Sequence, residues 1–315
     1  MTMRNTPLAI FAAFAFGGSA MAAPFAYVPN EQSGTLSVID TATDEVVREI
    51  KAGDKPRGLA VSPDGKFLYV SDQPNNDLVI VDLEKGEAAG RIELGESPEG
   101  VSISPDGRWV IAAVELSNAI AFIDRASGKR AFTVEVQGKN PEHAVFSPDG
   151  RWVYASAEDA DQVDVIDVAA RRQVNAIKVG QRPRGIGFLP DGSRAYVACE
   201  IASTIYAIDT GSQKVLASIK GREYSNGVTV HPNGKRVYVS NGRDASVSVI
   251  DTEKNEIIAT IPVGKRPWNM AITPDGRKLY VANGRSNSVS VIDTQTNRKI
   301  RDIPVGERPW GVLIQ

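Results

Sequence analysis

Polar and apolar residues alternate along this chain in short stretches, most strictly at Ser246-Val247-Ser248-Val249 and Ser288-Val289-Ser290-Val291. A period of two puts the valines on one face and the serines on the other, the pattern of a half-buried β-strand. Such runs come in sets of four, as in Gly58 to Ser62, Phe67 to Ser71, Leu78 to Asp82 and Gly90 to Leu94. Between the first two runs stands Pro-Asp-Gly, which suits a tight hairpin because Pro fixes one dihedral and Gly accepts a positive φ. This turn, or its variant Pro-Asn-Gly, starts at Pro63, Pro105, Pro148, Pro190, Pro232 and Pro274, every 42 or 43 residues. An aspartate closing an apolar run keeps step at Asp40, Asp82, Asp124, Asp167, Asp209, Asp251 and Asp293, which makes seven units. Four strands in each of seven such units predict an all-β fold, a seven-bladed β-propeller of four-stranded antiparallel blades.

The phase of the repeat predicts how the ring closes. Ala26-Tyr27-Val28 corresponds to the second strand of a unit and Gly311-Val312-Leu313-Ile314 to the first. One blade therefore combines a C-terminal inner strand with three N-terminal strands, which removes the open sheet edges of a linear array. Tyr27, Tyr69, Tyr154, Tyr196, Tyr238 and Tyr280 share one strand position, and Trp109 and Trp152 align with Phe67; repetition of this kind reads as packing between blades.

Residues 1–22 fall outside the repeat. An early Arg4, an apolar run from Pro7 to Phe16 and an Ala20-x-Ala22 ending predict a secretory signal peptide cleaved before Ala23. The apolar run is too short to span a bilayer. Residues 23–315 are then an exported propeller, periplasmic in a Gram-negative source, with no membrane span after cleavage.

Composition narrows the chemistry. Among 315 residues there are two His and one Cys, and the net charge is -2. Cys199 alone makes neither an internal disulfide nor a Cys-based zinc site, and two histidines cannot build a three-histidine metal centre. No Gly-x-Ser-x-Gly elbow or phosphate loop is present.

The repeats resemble the YVTN type of β-propeller, whose motif stands here as Tyr238-Val239-Ser240-Asn241 and Tyr280-Val281-Ala282-Asn283, each leading into Val-Ser-Val-Ile-Asp-Thr. Gly180-Gln181-Arg182-Pro183-Arg184-Gly185, Pro98-Glu99-Gly100 before Ser104-Pro105-Asp106-Gly107, and Val305-Gly306-Glu307-Arg308-Pro309-Trp310-Gly311-Val312 resemble one subgroup. Its members are exported seven-repeat propellers associated with alcohol catabolism dependent on pyrroloquinoline quinone (PQQ). The resemblance implies a pathway, with a periplasmic quinoprotein dehydrogenase or cytochrome components as partners. The chain is unlike the quinoprotein dehydrogenases themselves, which are larger eight-bladed propellers with an adjacent cysteine pair.

Function is sought where one face of the ring departs from the repeat. The loop entering each first strand reads Gly-x-x-Pro-x-Gly, and the residue after Pro is expected to point toward the central channel. These residues are Arg57, Glu99, Glu142, Arg184, Asn226, Trp268 and Trp310. The loop joining the second strand to the third lies on the same face and adds Glu31, Gln73, Glu115, Glu158, Glu200, Gly242 and Gly284. The expected mouth is polarised, with carboxylates and His143 in the middle blades, and Trp268, Trp310, Arg266, Arg308, Arg243 and Arg285 beside the closure. A ligand set of Arg57, Arg184, Asn226, Trp268, Trp310, Arg266 and Arg308 suits a small flat anion held by stacking and bidentate hydrogen bonds. Glu99, Glu115, Glu142, Glu158 and Glu200 are candidate oxygen ligands for Ca²⁺ or another divalent cation. His143 stands where other units have Gly and, with Glu142, Glu99 and Arg184, forms the candidate catalytic set.

Three functions follow. The first is a non-catalytic exported propeller that binds a ligand or protein, accessory to PQQ-dependent alcohol oxidation. The second is a metal-assisted lactonase-type hydrolase at the mouth, as some propellers are lactonases. The third is single-stranded nucleic-acid binding by Trp268 and Trp310 beside Arg266 and Arg308, which acidity and export oppose. A bland reading stands beside them, in which the tryptophans plug the channel and the glutamates are solvated. Cys199, near the mouth in an oxidising compartment, is expected to be at least partly buried.

Overall fold

The computed structural model describes residues 24–315, so the expected signal peptide lies outside the described residues. Each repeat folds into one four-stranded antiparallel sheet, and there are seven sheets. Blade 2 shows the plan: Pro56–Val61 innermost, then Phe67–Asp72, Asp77–Asp82 and Glu87–Glu93. Blades 3 to 7 follow in chain order. Blade 1 is composite, with Leu313–Ile314 innermost beside Phe25–Asn30, Thr35–Asp40 and Glu45–Lys51. Ala26 pairs with Ile314 and Tyr27 with Leu313, so the C-terminal strand closes the ring as the repeat phase predicts. Among the described residues no helix is long and apolar enough to cross a membrane.

The Pro-Asp-Gly turns behave as their chemistry requires. Gly65 takes φ +69, a conformation in which a side chain would be strained. Ser62 Oγ accepts from Phe67 N at 2.9 Å and donates to Asp64 Oδ1 at 2.5 Å, tying the turn to the second strand.

The core lies between blades. Seven apolar clusters occupy the seven interfaces, as where Leu36 and Val38 of blade 1 meet Leu68, Val70, Val79 and Val81 of blade 2. The cluster at the closure joins Tyr280, Val289 and Val291 to Ala26, Val28 and Ile39. All six repeated tyrosines are buried. At the closure Tyr280 donates to the Asp44 carboxylate, and Lys278 Nζ lies 2.8 Å from Asp44 Oδ2. Burial and this carboxylate raise the Tyr280 pKa, keeping the phenol protonated as a donor.

One irregularity of the inner strands positions the mouth. In blade 2 Pro56 pairs with Asp72, yet Leu59 pairs with Val70, so Arg57 and Gly58 form a bulge. The same shift follows Pro98, Pro141, Pro183, Ser225 and Pro267. A bulge re-aims the side chain it carries, which sends the residue after Pro toward the axis. The freed Gly58 N–H is taken by Ser71 Oγ at 2.8 Å, and that hydroxyl donates at 2.6 Å to the carbonyl of Glu99 in the next blade. Ser240 repeats the relay between Gly227 N and the Trp268 carbonyl.

Deleting residues 310–315 removes the inner strand of blade 1 and opens its interface with blade 7. The full chain should melt in a single cooperative transition by circular dichroism and the truncated chain should not.

Candidate ligand site at the channel mouth

At one end of the channel lies a cavity of about 290 Å³. All seven residues that follow the entering proline, or Ser225 in its place, line it: Arg57, Glu99, Glu142, Arg184, Asn226, Trp268 and Trp310. The second loops add Glu31, Gln73, Glu115 and Glu158, and Arg182, Arg266 and Asn269 complete the wall. The motif asparagines hold these loops: Asn241 Nδ2 donates to Ser246 Oγ and Ser248 Oγ, both at 3.0 Å, and Asn283 Oδ1 accepts from Gly264 N.

Each arginine of the cavity pairs with carboxylates, while Glu115, Glu142 and Glu158 stand together on one side. Arg57 bonds Glu99 in the next blade and lies 3.0 Å from Glu31 Oε1. Arg184 bonds Glu142 in the preceding blade, with Nη1 2.6 Å from Glu158 Oε1 and Nε 3.1 Å from Glu200 Oε2. Arg182 Nε reaches Glu158 Oε2 at 3.1 Å, and Arg266 Nη2 reaches Glu200 Oε1 at 2.6 Å. Glu200 sits just behind the lining and ties Arg184 to Arg266. Every cavity arginine is thus already met by carboxylate, and the six carboxylates outnumber the four guanidiniums by two.

This imbalance divides the carboxyl groups. Burial, reinforced by the Glu142 charge, pushes Glu99 well above the usual range, although Arg57 opposes the shift. Burial also pushes Glu142 upward, but Arg184, His143 and Arg57 outweigh it and hold Glu142 low. Glu158 is pushed up to about 8 by burial and Glu142, against the pull of Arg184 and Arg182.

The aromatic side depends on two glycines. A Cβ on Gly284 would lie 2.7 Å from the Trp268 ring, and one on Gly242 would lie 3.1 Å from Arg266 Nη1. Where the other blades carry Glu or Gln in this loop, blades 6 and 7 leave room for Arg266 and Trp268. Arg266 also lies over the Tyr224 ring, at 5.5 Å from its centroid.

Below this cavity a chamber of about 150 Å³ holds His143, with Trp310, Arg57 and Asn269 shared between the two spaces. His143 of blade 4 and Trp310 of blade 1 meet across the channel, with ring centroids 5.4 Å apart. Burial lowers the His143 pKa to about 4, so the imidazole is neutral at physiological pH. Glu99, Glu142 and Arg184 therefore share the upper cavity while their expected companion His143 lines the lower chamber.

Arg308 also lies away from the upper cavity, in a separate depression with Glu31, Gln32, Asp54 and Lys55. The room over Gly284 that would match Arg266's place over Gly242 is filled by the Trp268 ring. Arg243 and Arg285 are exposed outside the lining. Cys199 is fully buried, and burial pushes its thiol up to about 12. Sequence reasoning passed over Arg182 as a site residue; its signal is the position before Pro that it shares with Arg266 and Arg308, where all three adopt left-handed backbone.

Fold and mouth together define a seven-bladed β-propeller with a highly charged, ligand-sized cavity at one end of its channel. The chain belongs to the YNCE-like beta-propeller family, whose model matches residues 4–315. No curated protein matches it. Among solved structures it is similar to Kuenenia stuttgartiensis hydrazine synthase, at 24% identity and TM-score 0.79 over 90% of this chain and 99% of that one. It is likewise similar to the periplasmic gluconolactonase of Pseudomonas aeruginosa, at 21% identity and TM-score 0.79 over 92% and 98% of the two chains. A functionally unknown protein from Desulfotomaculum acetoxidans matches at 19% identity and TM-score 0.81 over 92% and 98%. At these identities the likeness shows the fold.

Two arginines predict opposite outcomes in the network. Arg184 is 14% exposed and touches three glutamates, so Arg184→Ala strands buried charge and should cost about 3–5 kcal/mol in denaturant unfolding. Arg182 is 41% exposed, and Arg182→Ala should cost less than about 1 kcal/mol.

Proposed function

We propose that this protein is an exported, non-catalytic binding propeller whose channel mouth takes a small polyhydroxylated ligand of roughly monosaccharide size. The observation that carries the reading is the convergence of all seven residues of the mouth ring on one cavity of about 290 Å³. Its wall combines carboxylate acceptors, guanidinium and amide donors and two tryptophans. Hydroxyl groups both donate and accept, so they can bond the carboxylates and guanidiniums without adding charge. The C–H face of a ring-shaped ligand suits Trp268 and Trp310. A free anion suits the mouth less well, because its arginines are already engaged. The carboxylate excess also opposes phosphate-led nucleic-acid binding.

The pathway belongs to the same proposal. The motifs around Arg184 and Trp310 resemble those of exported propellers associated with PQQ-dependent alcohol oxidation, and a site for a hydroxylated compound is compatible with an accessory role there. Native mass spectrometry of protein isolated from its own host should show a bound small molecule. The adduct should vanish in Trp268→Ala and weaken in Gly284→Ala, which crowds Trp268 without entering the cavity. A wild-type protein carrying no small molecule and binding none from a panel of polyols and aldoses would remove the reading.

A second reading, metal-assisted lactone hydrolysis, is favoured by a specific feature: Glu115, Glu142 and Glu158 bring carboxylate oxygens within 4.8 Å of one another. A hard cation held there would polarise a lactone carbonyl. On this reading an aldonolactone panel with added Ca²⁺ should show turnover that is lost in Glu142→Gln. Turnover should survive in His143→Ala, whose ring lies in the lower chamber. Absence of turnover across the panel eliminates hydrolysis.

A further inference from the structure

We infer that the mouth holds a hard divalent cation of the calcium class between Glu115, Glu142 and Glu158. The three carboxylates come from different places: the second loop of blade 3, the bulge of blade 4 and the second loop of blade 4. One oxygen of each lies within 4.8 Å of the others. Ca²⁺ binds oxygen at about 2.3–2.6 Å, so oxygens on opposite sides of an ion stand about 5 Å apart. The three can therefore share one centre. Each carboxylate is also anchored. Ser97 Oγ donates to Glu115 Oε2 at 2.8 Å, Arg184 donates to Glu142 Oε1, and Arg182 Nε donates to Glu158 Oε2 at 3.1 Å. Arg184 Nη1 also approaches Glu158 Oε1 at 2.6 Å, without hydrogen-bond geometry.

A cluster of carboxylates can be an accident of a solvated surface, but this one is inside the channel and has a fourth residue beside it. Glu99 lines the same cavity with its side chain fully buried. Its Oε1 meets Arg57 and Gln73, whereas Oε2 has no hydrogen-bond partner. A buried carboxylate oxygen left unpaired is costly, and a cation or its coordinated water supplies the missing partner. With all six carboxylates ionised, the excess of two over the guanidiniums equals the charge of one divalent ion, which would take the place of protons on the buried groups. The donor set is all oxygen. Cys199 is buried elsewhere and His143 lines the lower chamber, which favours a hard ion over zinc or copper.

Three protein ligands leave part of calcium's six to eight positions for other oxygens. On the proposed function, which this inference deepens, vicinal hydroxyls of the ligand fill those positions. Cation binding itself does not need that ligand, and the test omits it.

The test uses the full chain, stripped with a chelator and titrated with Ca²⁺ or Mg²⁺ while thermal unfolding is followed, and with Tb³⁺ while tryptophan-sensitised luminescence is read. Saturating Ca²⁺ should raise the melting temperature by several degrees, Mg²⁺ should do less, and Ca²⁺ should displace Tb³⁺. Glu115→Gln and Glu158→Gln should each weaken Ca²⁺ at least tenfold, while the exposed-site control Glu223→Gln should leave it unchanged. If a Gln variant fails to fold, Ser97→Ala, which releases the Glu115 anchor, should lower affinity severalfold. No Ca²⁺ shift and no sensitised Tb³⁺ signal at millimolar ion overturns the inference. So does full Ca²⁺ affinity in folded Glu115→Gln and Glu158→Gln, which would put the ion elsewhere. A calcium response without polyol binding sinks the ligand reading alone, and polyol binding without a calcium response sinks the cation alone.

Discussion

Close approach of backbones around the channel axis governs everything built at the mouth. A Cβ on Gly58 would lie 2.3 Å from the Glu99 carbonyl oxygen, and one on Gly227 would lie 2.5 Å from that of Trp268. Blades meet there with no room for a side chain at these two glycines, and the bulge that contains each of them turns the residue after Pro inward; where His143 and Asn269 replace the glycine, their side chains enter the channel too. Ser71 and Ser240 spend one hydroxyl each on satisfying the bulge and on gripping the next blade. The scaffold thus presents the residue after Pro of every blade to the mouth, and the second loops add a tier above. Local chemistry can vary while the ring stays the same.

What varies is charge, and the cavity handles it by pairing neighbours around the ring. Arg57 reaches forward to Glu99, and Arg184 reaches back to Glu142. Such pairs, taken out of water, contribute little net stability but make removal of either partner expensive. They also hold each group in place before any ligand arrives. The carboxylates in excess are where the network is least settled, as the high proton affinity of Glu158 and Glu99 shows.

The ring architecture was legible in the residues because a propeller repeats its instructions. Seven copies of the Asp-ended strand and six of the Pro-x-Gly turn define blade number, strand order and closure, and the same alignment picks out the seven mouth residues. Pairing was not legible, since Arg57 and Glu99 are 42 residues apart and meet only once the blades are set side by side. Arg266 and Arg308 occupy one repeat position yet end in different places, because the Trp268 ring occupies the space above Gly284. His143 stood out as a departure from Gly, but its depth in the channel depends on the bulge and on Trp310. Repetition encodes the frame, whereas the site arises from exceptions whose consequences are tertiary.

The contact between His143 and Trp310 narrows the channel beneath the cavity. Side chains from blades on opposite sides of the ring meet in mid-channel, with ring centroids 5.4 Å apart, so a molecule moving down the axis meets a constriction made by two side chains rather than by the blades. Both rings belong to exceptions in the repeat, so the width of the passage at this depth is set by two residues and not by the shared frame.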